Sequence, residues 1–150
     1  MTEQEPPWPA EVLFLCTGNY YRSRFAEEYF NHIARQKAYY VRASSKGFRP
    51  DLVANSGPMS SHALRALQAL GITPAQPLRM PVPVNSRDFL DHKYCIALSK
   101  TEHLPMMQEL FPQHIKRVQF WEVEDLLFES PESALASIAK RVEALLEDLR

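Results

Sequence analysis

The chain has 150 residues, 45% of them hydrophobic and 23% charged, which suits one globular domain with a sizeable core. Those proportions exclude a disordered tail protein, a collagen-like fibre and a coiled coil. Seventeen basic residues face eighteen acidic ones for a net charge of −1, so an anion site must be local and general nucleic-acid binding is disfavoured.

Residues 1–10 are polar, hold Pro6, Pro7 and Pro9, and read as a loose leader to a single domain. Glu3 and Glu5 stand where a signal peptide would carry basic residues. Val12 to Cys16 is the longest apolar run; it has strand length and is too short to cross a bilayer. No membrane association is expected. Ser23 then opens a helical pattern with Phe25, Ala26, Tyr29, Phe30 and Ile33 on one face. Tyr39-Tyr40-Val41 is the candidate second strand, and Lys46 to Pro58 reads as a loop.

Ser60 or Ser61 can cap the next helix, whose apolar face is Ala63, Leu64, Leu67 and Leu70 and whose stop is Gly71. Thr73 to Val84 carries Pro74, Pro77, Pro81 and Pro83 and can be neither regular helix nor central strand. Tyr94 to Leu98 is a third buried strand, Lys100 to Leu110 a helix, and Val118 to Phe120 a fourth short strand. Ser130-Pro131-Glu132 starts the last helix, striped by Leu135, Ile138, Val142, Leu145 and Leu149. Alternating strands and helices imply an α/β fold with a parallel sheet covered on both faces. Ligands in such sheets sit beyond the carboxyl ends of the strands.

The first strand runs into Cys16-Thr17-Gly18-Asn19-Tyr20-Tyr21-Arg22-Ser23 and then a helix. A loop between a buried strand and a helix N-terminus can aim successive backbone N–H groups at one point and make an anion cradle. Thr17, Gly18, Asn19, Tyr20 and Tyr21 would supply those groups, with Gly18 allowing a tight loop. Arg22 can return to the same point with a planar fork that suits phosphate oxygens. The same positive field favours a thiolate at Cys16 and makes it a nucleophile. Ser23 could hydrogen-bond the sulfur or cap the helix. A bare Cys-x5-Arg match would read as a buried strand-end thiol and a solvated arginine; the flanking strand and helix, Gly18 and Ser23 favour the anion site.

Val12 to Phe30, VLFLCTGNYYRSRFAEEYF, resembles the active-site segment of low-molecular-weight protein tyrosine phosphatases, and the element order along nearly the whole chain is similar. The resemblance implies a three-layer sandwich in which a four-stranded parallel sheet carries helices on both faces and a phosphate loop follows the first strand. It implies Cys16 as nucleophile, Arg22 as phosphate ligand, and Asn19 and Ser23 as residues that hold the loop and the thiolate. No metal or organic cofactor is expected. The family's general acid is an Asp in a late Asp-Pro-aromatic-aromatic motif. Asp125 matches it, with Leu126 in place of the proline and Leu127-Phe128 in place of the aromatic pair; Glu122 and Glu124 are rivals. Ser45, in Ser45-Lys46-Gly47-Phe48, loosely matches a supporting Ser after strand two. Tyr21 stands where the family usually has a second Cys, and Thr73 to Val84 offers no counterpart to a buried family His.

The reaction so implied is phosphate-monoester hydrolysis through a cysteinyl-phosphate, on a phosphotyrosine protein or a small aryl phosphate. The residues themselves specify only a phosphate monoester. A non-catalytic phosphopeptide-binding module is the alternative from another class. Arsenate reduction needs two further cysteines, and the chain has only Cys95 besides Cys16. Cys95 reads as a small core residue. Two cysteines form no disulfide framework and suggest a reducing, cytoplasmic setting. The five histidines show no metal-ligand spacing. Tyr20, Tyr21 and Phe48 are candidates either for the cleft mouth or for packing.

Overall fold

The computed structural model describes residues 11–122 and 130–149. The leader at 1–10, the segment 123–129 with the candidate acid Asp125, and Arg150 lie outside them. The described chain runs β1 (Val12–Cys16), α1 (Arg22–Gln36), β2 (Ala43–Gly47), α2 (Ser61–Ala69), α3 (Asp88–Asp91), β3 (Tyr94–Ala97), α4 (Lys100–Leu110), β4 (Val118–Phe120) and α5 (Pro131–Leu149). The four strands form one sheet in the order β2-β1-β3-β4, and every pairing is parallel.

β1 is buried along its whole length, as its unbroken apolar run requires. Its side chains alternate between two cores. Val12 and Phe14 meet Phe25, Ala26 and Phe30 of α1, Ala63 and Leu67 of α2, and Leu135, Ile138, Val142 and Leu146 of α5. Leu13 and Leu15 meet Phe89 of α3, Met107 of α4, Cys95 and Val118. Helices therefore cover both faces and the architecture is a three-layer α/β sandwich. Along α5 the fully buried position near the end is Leu146, while Leu145 and Leu149 are half-buried at the rim.

The second strand is not Tyr39–Val41. Ala38 takes a left-handed φ of 58° after α1, and Tyr39 N–H closes back onto Ala34 O at 2.8 Å. Tyr39 and Val41 then pack on the core beside α1, while Tyr40 points into solvent. The strand that pairs with β1 is Ala43–Gly47, with Ala43 opposite Val12 and Gly47 opposite Cys16. Its sequence, ASSKG, has weak strand propensity, and pairing with β1 overrides it. Three short elements have no clear signal in the sequence: the single turn of α3 and the 3₁₀ turns at Pro50–Val53 and Pro112–Arg117.

In this order, the connection from β1 leads to β2 on one side, while β3 and β4 lie on the other. The carboxyl ends of β1 and β3 flank the crevice where the chain direction diverges, the usual ligand position of an open parallel sheet. Cys16 is the last residue of β1, and α4 begins three residues after β3 ends.

Phe14 ties the larger core together. It is fully buried, 5.9 Å from the Phe30 ring and 5.8 Å from Trp121. Phe14→Ala is expected to cost about 3–5 kcal/mol of unfolding free energy, read from urea denaturation.

Candidate active site

Cys16 sits at the mouth of the sheet with its Sγ 2.9 Å from Ser23 Oγ in the first turn of α1. The loop between them turns on Asn19, which has a left-handed φ of 52° and is completely buried. Few residues other than glycine adopt that conformation, and asparagine is among those that tolerate it best. Every hydrogen-bonding capacity of the Asn19 side chain is used. Its amide nitrogen donates to Ser23 Oγ and to Ser45 Oγ, both at 2.9 Å. Its amide oxygen accepts from Arg79 Nη1 at 2.9 Å and from Val82 N–H at 3.0 Å. These partners fix which end of the amide is oxygen. Ser23 Oγ accepts from Asn19 and from the Cys16 thiol, and once that thiol ionises the serine's own proton is free to turn to the sulfur.

Ser45 lies in β2 opposite Phe14 and is buried. Its hydroxyl accepts from Asn19 and from Arg79 Nη2, and donates to Glu27 Oε1 at 2.5 Å. Gly47, at the end of β2, passes under the loop. A Cβ there would lie 2.8 Å from Thr17 O and 2.9 Å from Asn19 N, so only glycine fits. The close approach therefore falls at Gly47, and Gly18 does not use a left-handed backbone. Gly18 faces Val53 of the 3₁₀ turn Pro50–Val53 instead.

Arg22 is buried, and its Nη2 contacts both carboxylate oxygens of Glu102, at 3.0 and 2.9 Å. Nη1 is buried with no hydrogen-bond partner among the described residues. One edge of the guanidinium is thus clamped, and the other presents a donor that a phosphate oxygen would satisfy. Thr17 ends in the same cluster: its hydroxyl donates to Glu102 Oε1 and lies 3.2 Å from His103 Nε2. Burial alone would raise the Glu102 carboxyl. The His103 contact, the Arg22 charge and the Thr17 hydroxyl outweigh it and hold the group well below the usual carboxylate range. His103 is completely buried, and Ser99 N–H donates to its Nδ1 at 3.1 Å. Its proton therefore belongs on Nε2, facing Thr17 and Glu102. Burial pushes the imidazole below its ordinary value, so the ring is neutral.

Tyr20 and Tyr21 complete the loop. The Tyr20 hydroxyl donates to Ser56 O at 2.9 Å, and its carbonyl accepts from Ser60 N–H. Tyr21 is the α1 N-cap residue and makes no side-chain capping bond; its hydroxyl reaches Pro131 O at 3.4 Å, and its ring meets His62. Phe48 is not at the mouth: it is buried against the His103 ring, 5.4 Å between centroids. The structure thus brings together Cys16, Thr17, Gly18, Asn19, Tyr20, Tyr21, Arg22, Ser23 and Ser45. Of the acid rivals only Glu122 is described. It is exposed and bridges to Ser99 at the start of α4.

Four residues of this cluster were not singled out from sequence: Glu27, Arg79, Glu102 and His103. Ser99-x-x-Glu102 is a capping-box pattern, and Ser99 Oγ does accept from Glu102 N–H. That signal marks a helix start, while the Glu102 carboxylate has turned away to Arg22. Nothing in the sequence distinguishes Arg79 from a surface arginine. Cys95 lies opposite Leu13, three residues back along β1 from Cys16, which is an offset of about 10 Å. Burial pushes its thiol up to about 11.

A parallel α/β sheet with Cys-x5-Arg wrapped around the end of its first strand defines a phosphatase of the cysteine-nucleophile class. The sequence matches the family model for low molecular weight phosphotyrosine protein phosphatase over residues 11–150, and the chain belongs to that family. It is thus a low molecular weight protein tyrosine phosphatase. Among solved structures, a low molecular weight phosphotyrosine phosphatase from Vibrio cholerae is 25% identical, with TM-score 0.70 and coverage of 92% of this chain and 95% of that one. YfkJ from Bacillus subtilis is 22% identical, with TM-score 0.78 and coverage of 93% and 94%. Wzb from Vibrio vulnificus, solved with benzylphosphonate, is 14% identical, with TM-score 0.76 and coverage of 93% and 98%. No curated protein matches the chain significantly in sequence.

The buried pair Glu102 and His103 makes stability sensitive to acid. His103 has a folded-state value below the ordinary 6.5, so its neutral form stabilises the fold above that pH and the contribution is lost as pH falls below it. Glu102 contributes above its ordinary 4.5 and loses that contribution on further acidification. Urea midpoints should fall from pH 7.5 to about 5.5, and His103→Gln should flatten that stretch of the curve. An unchanged slope in the variant would refute the assignment.

Proposed function

We propose that Cys16, Arg22 and Asp125 carry the hydrolysis within a single catalytic domain. Cys16 Sγ attacks phosphorus in line; the S–P bond forms as the P–O ester bond breaks. The loop amides from Thr17 to Tyr21 and the unpaired edge of Arg22 bind the equatorial oxygens as charge develops. Asp125 protonates the leaving oxygen, then takes a proton from the water that releases phosphate from sulfur. Ser23, Asn19 and Ser45 keep the sulfur and the loop in place. The observation that carries this reading is the Arg22 guanidinium, held on one side by Glu102 and, among the described residues, left with a buried, unsatisfied donor on the other.

The substrates we infer are phosphotyrosine on a protein and small aryl phosphates. Wzb accommodates benzylphosphonate, an aromatic ring one carbon from phosphorus. By analogy, a substrate ring here would stand over the loop beside Tyr20 and Val53, the side chains nearest Gly18. A cytoplasmic location fits two unpaired thiols. No helix among the described residues is long and apolar enough to cross a membrane.

Cys16→Ser should lose turnover of an aryl phosphate by several orders of magnitude while still binding vanadate. Arg22→Lys should also be severely impaired, because an ammonium cannot be shared in this way between Glu102 and a phosphate. Asp125→Asn should lower turnover about 10²–10⁴-fold on esters with poor leaving groups and far less on activated ones. Should Glu124→Gln show that leaving-group dependence instead, the acid is Glu124.

Peroxide should inactivate the enzyme without a disulfide rescue. Tyr21 cannot resolve a sulfenic acid on Cys16, and Cys95 lies beyond the roughly 7 Å Cα separation that a disulfide allows. Intact mass should show oxygen added to Cys16, activity should not return with dithiothreitol after full oxidation, and bound phosphate should protect. Recovery through a Cys16–Cys95 disulfide would contradict the strand register.

A further inference from the structure

Thr73 to Val84 has no role in the mechanism above, yet it enters the site at its base. Its backbone is fastened in three places. Ala75 N–H donates to buried Glu28 at 2.9 Å, Val82 N–H donates to Asn19, and Gly47 exchanges hydrogen bonds with Val82 O and Val84 N–H, both at 2.9 Å. Four prolines limit the unfolded conformations of this strap. Between the fastenings, Arg79 turns inward. Its Nη1 donates to Asn19 Oδ1 at 2.9 Å and to Met80 O at 3.2 Å. Its Nη2 donates to Ser45 O at 2.8 Å, Ser45 Oγ at 3.0 Å and Glu27 Oε1 at 2.9 Å.

We propose that Arg79 is a positioning residue of the phosphate loop, acting through Asn19 on Ser23 and the Cys16 sulfur. The inference rests on the hydrolytic reading of Cys16. A left-handed asparagine persists only where its surroundings over-determine it, and here a charged fork supplies one of the two bonds to its oxygen. A cation on that oxygen polarises the amide and strengthens its N–H bonds to Ser23 and Ser45. Ser23 is thereby held as an acceptor toward Asn19 and left to donate to sulfur. Glu27 balances the arrangement, because its Oε1 takes Arg24 Nη1 at 2.8 Å as well as Arg79 and Ser45. Burial works against the Arg79 charge, with Glu27 opposing it. An arginine does not deprotonate in a protein, so this support persists across the working pH range.

A lysine could reach Asn19 or Glu27 but could not bridge both with a planar fork. The prediction is therefore a graded series with a coupled partner. Arg79→Gln should lower kcat/KM on para-nitrophenyl phosphate about 10- to 100-fold, as expected for slight misplacement of reacting groups. Arg79→Lys should fall between it and the parent. Calorimetric binding of inorganic phosphate should weaken in the same order, while circular dichroism remains that of the parent. In a double-mutant cycle, adding Arg79→Gln to Asn19→Ala should cost less than about twofold more, because both act through one amide. Parent-like kinetics and phosphate binding in Arg79→Gln, or losses that multiply in the cycle, would overturn the proposal. If Arg79→Gln does not fold, Arg79→Lys enters the same cycle under the same criteria. An inactive parent would sink the hydrolytic reading alone, since phosphate binding still tests Arg79.

Discussion

The site depends on one buried amide. Asn19 holds a backbone conformation that costs energy for any residue with a Cβ, and it is held there by four hydrogen bonds to three different segments. Ser23 belongs to the first turn of α1, Ser45 to β2, and Arg79 and Val82 to the proline-rich strap. Each of these elements is anchored elsewhere in the fold, so the loop inherits the rigidity of the sheet. A loop held in this way is preorganised, which is how fixed donors contribute most to catalysis.

A second clamp works from the other side of the crevice. β3 delivers α4, and α4 delivers Glu102 and His103 in its first turn. Glu102 fixes Arg22 by one nitrogen, while His103 and Thr17 keep the carboxylate from turning away. Arg22 is aligned, yet retains a buried donor for the ligand. The strand order explains why the two clamps meet. Only the ends of β1 and β3 are adjacent at the point where the connections diverge; Cys16 ends β1, and Glu102 lies in the first turn of the helix that follows β3.

Most of the architecture was legible because strong apolar periodicity coincides with burial in β1, α1, β3, β4 and α5. The second strand was misplaced by its own chemistry. Tyr39-Tyr40-Val41 has the side chains of a strand, whereas Ala43–Gly47 is mostly small and ends on Gly47, the residue whose close approach to the phosphate loop leaves no room for a Cβ. Function overrode propensity at that edge. Cys16, Arg22 and Ser23 could be read because they share one loop whose geometry follows from its flanks. Ser45 was found only by resemblance. Glu102, His103 and Arg79 arrive from distant segments, and their roles come from direction and burial, which no local pattern encodes.

In the proposed mechanism the phosphoryl group passes through a covalent bond to Cys16. Rapid acid quench during turnover of a labelled aryl phosphate, followed by proteolysis and peptide mass analysis, tests this step most directly. The mechanism predicts one phosphoryl group on the peptide containing Cys16, attached through sulfur, and formed and consumed at rates compatible with turnover. Steady turnover with no phosphorylated Cys16, or with the label on another residue, would contradict it.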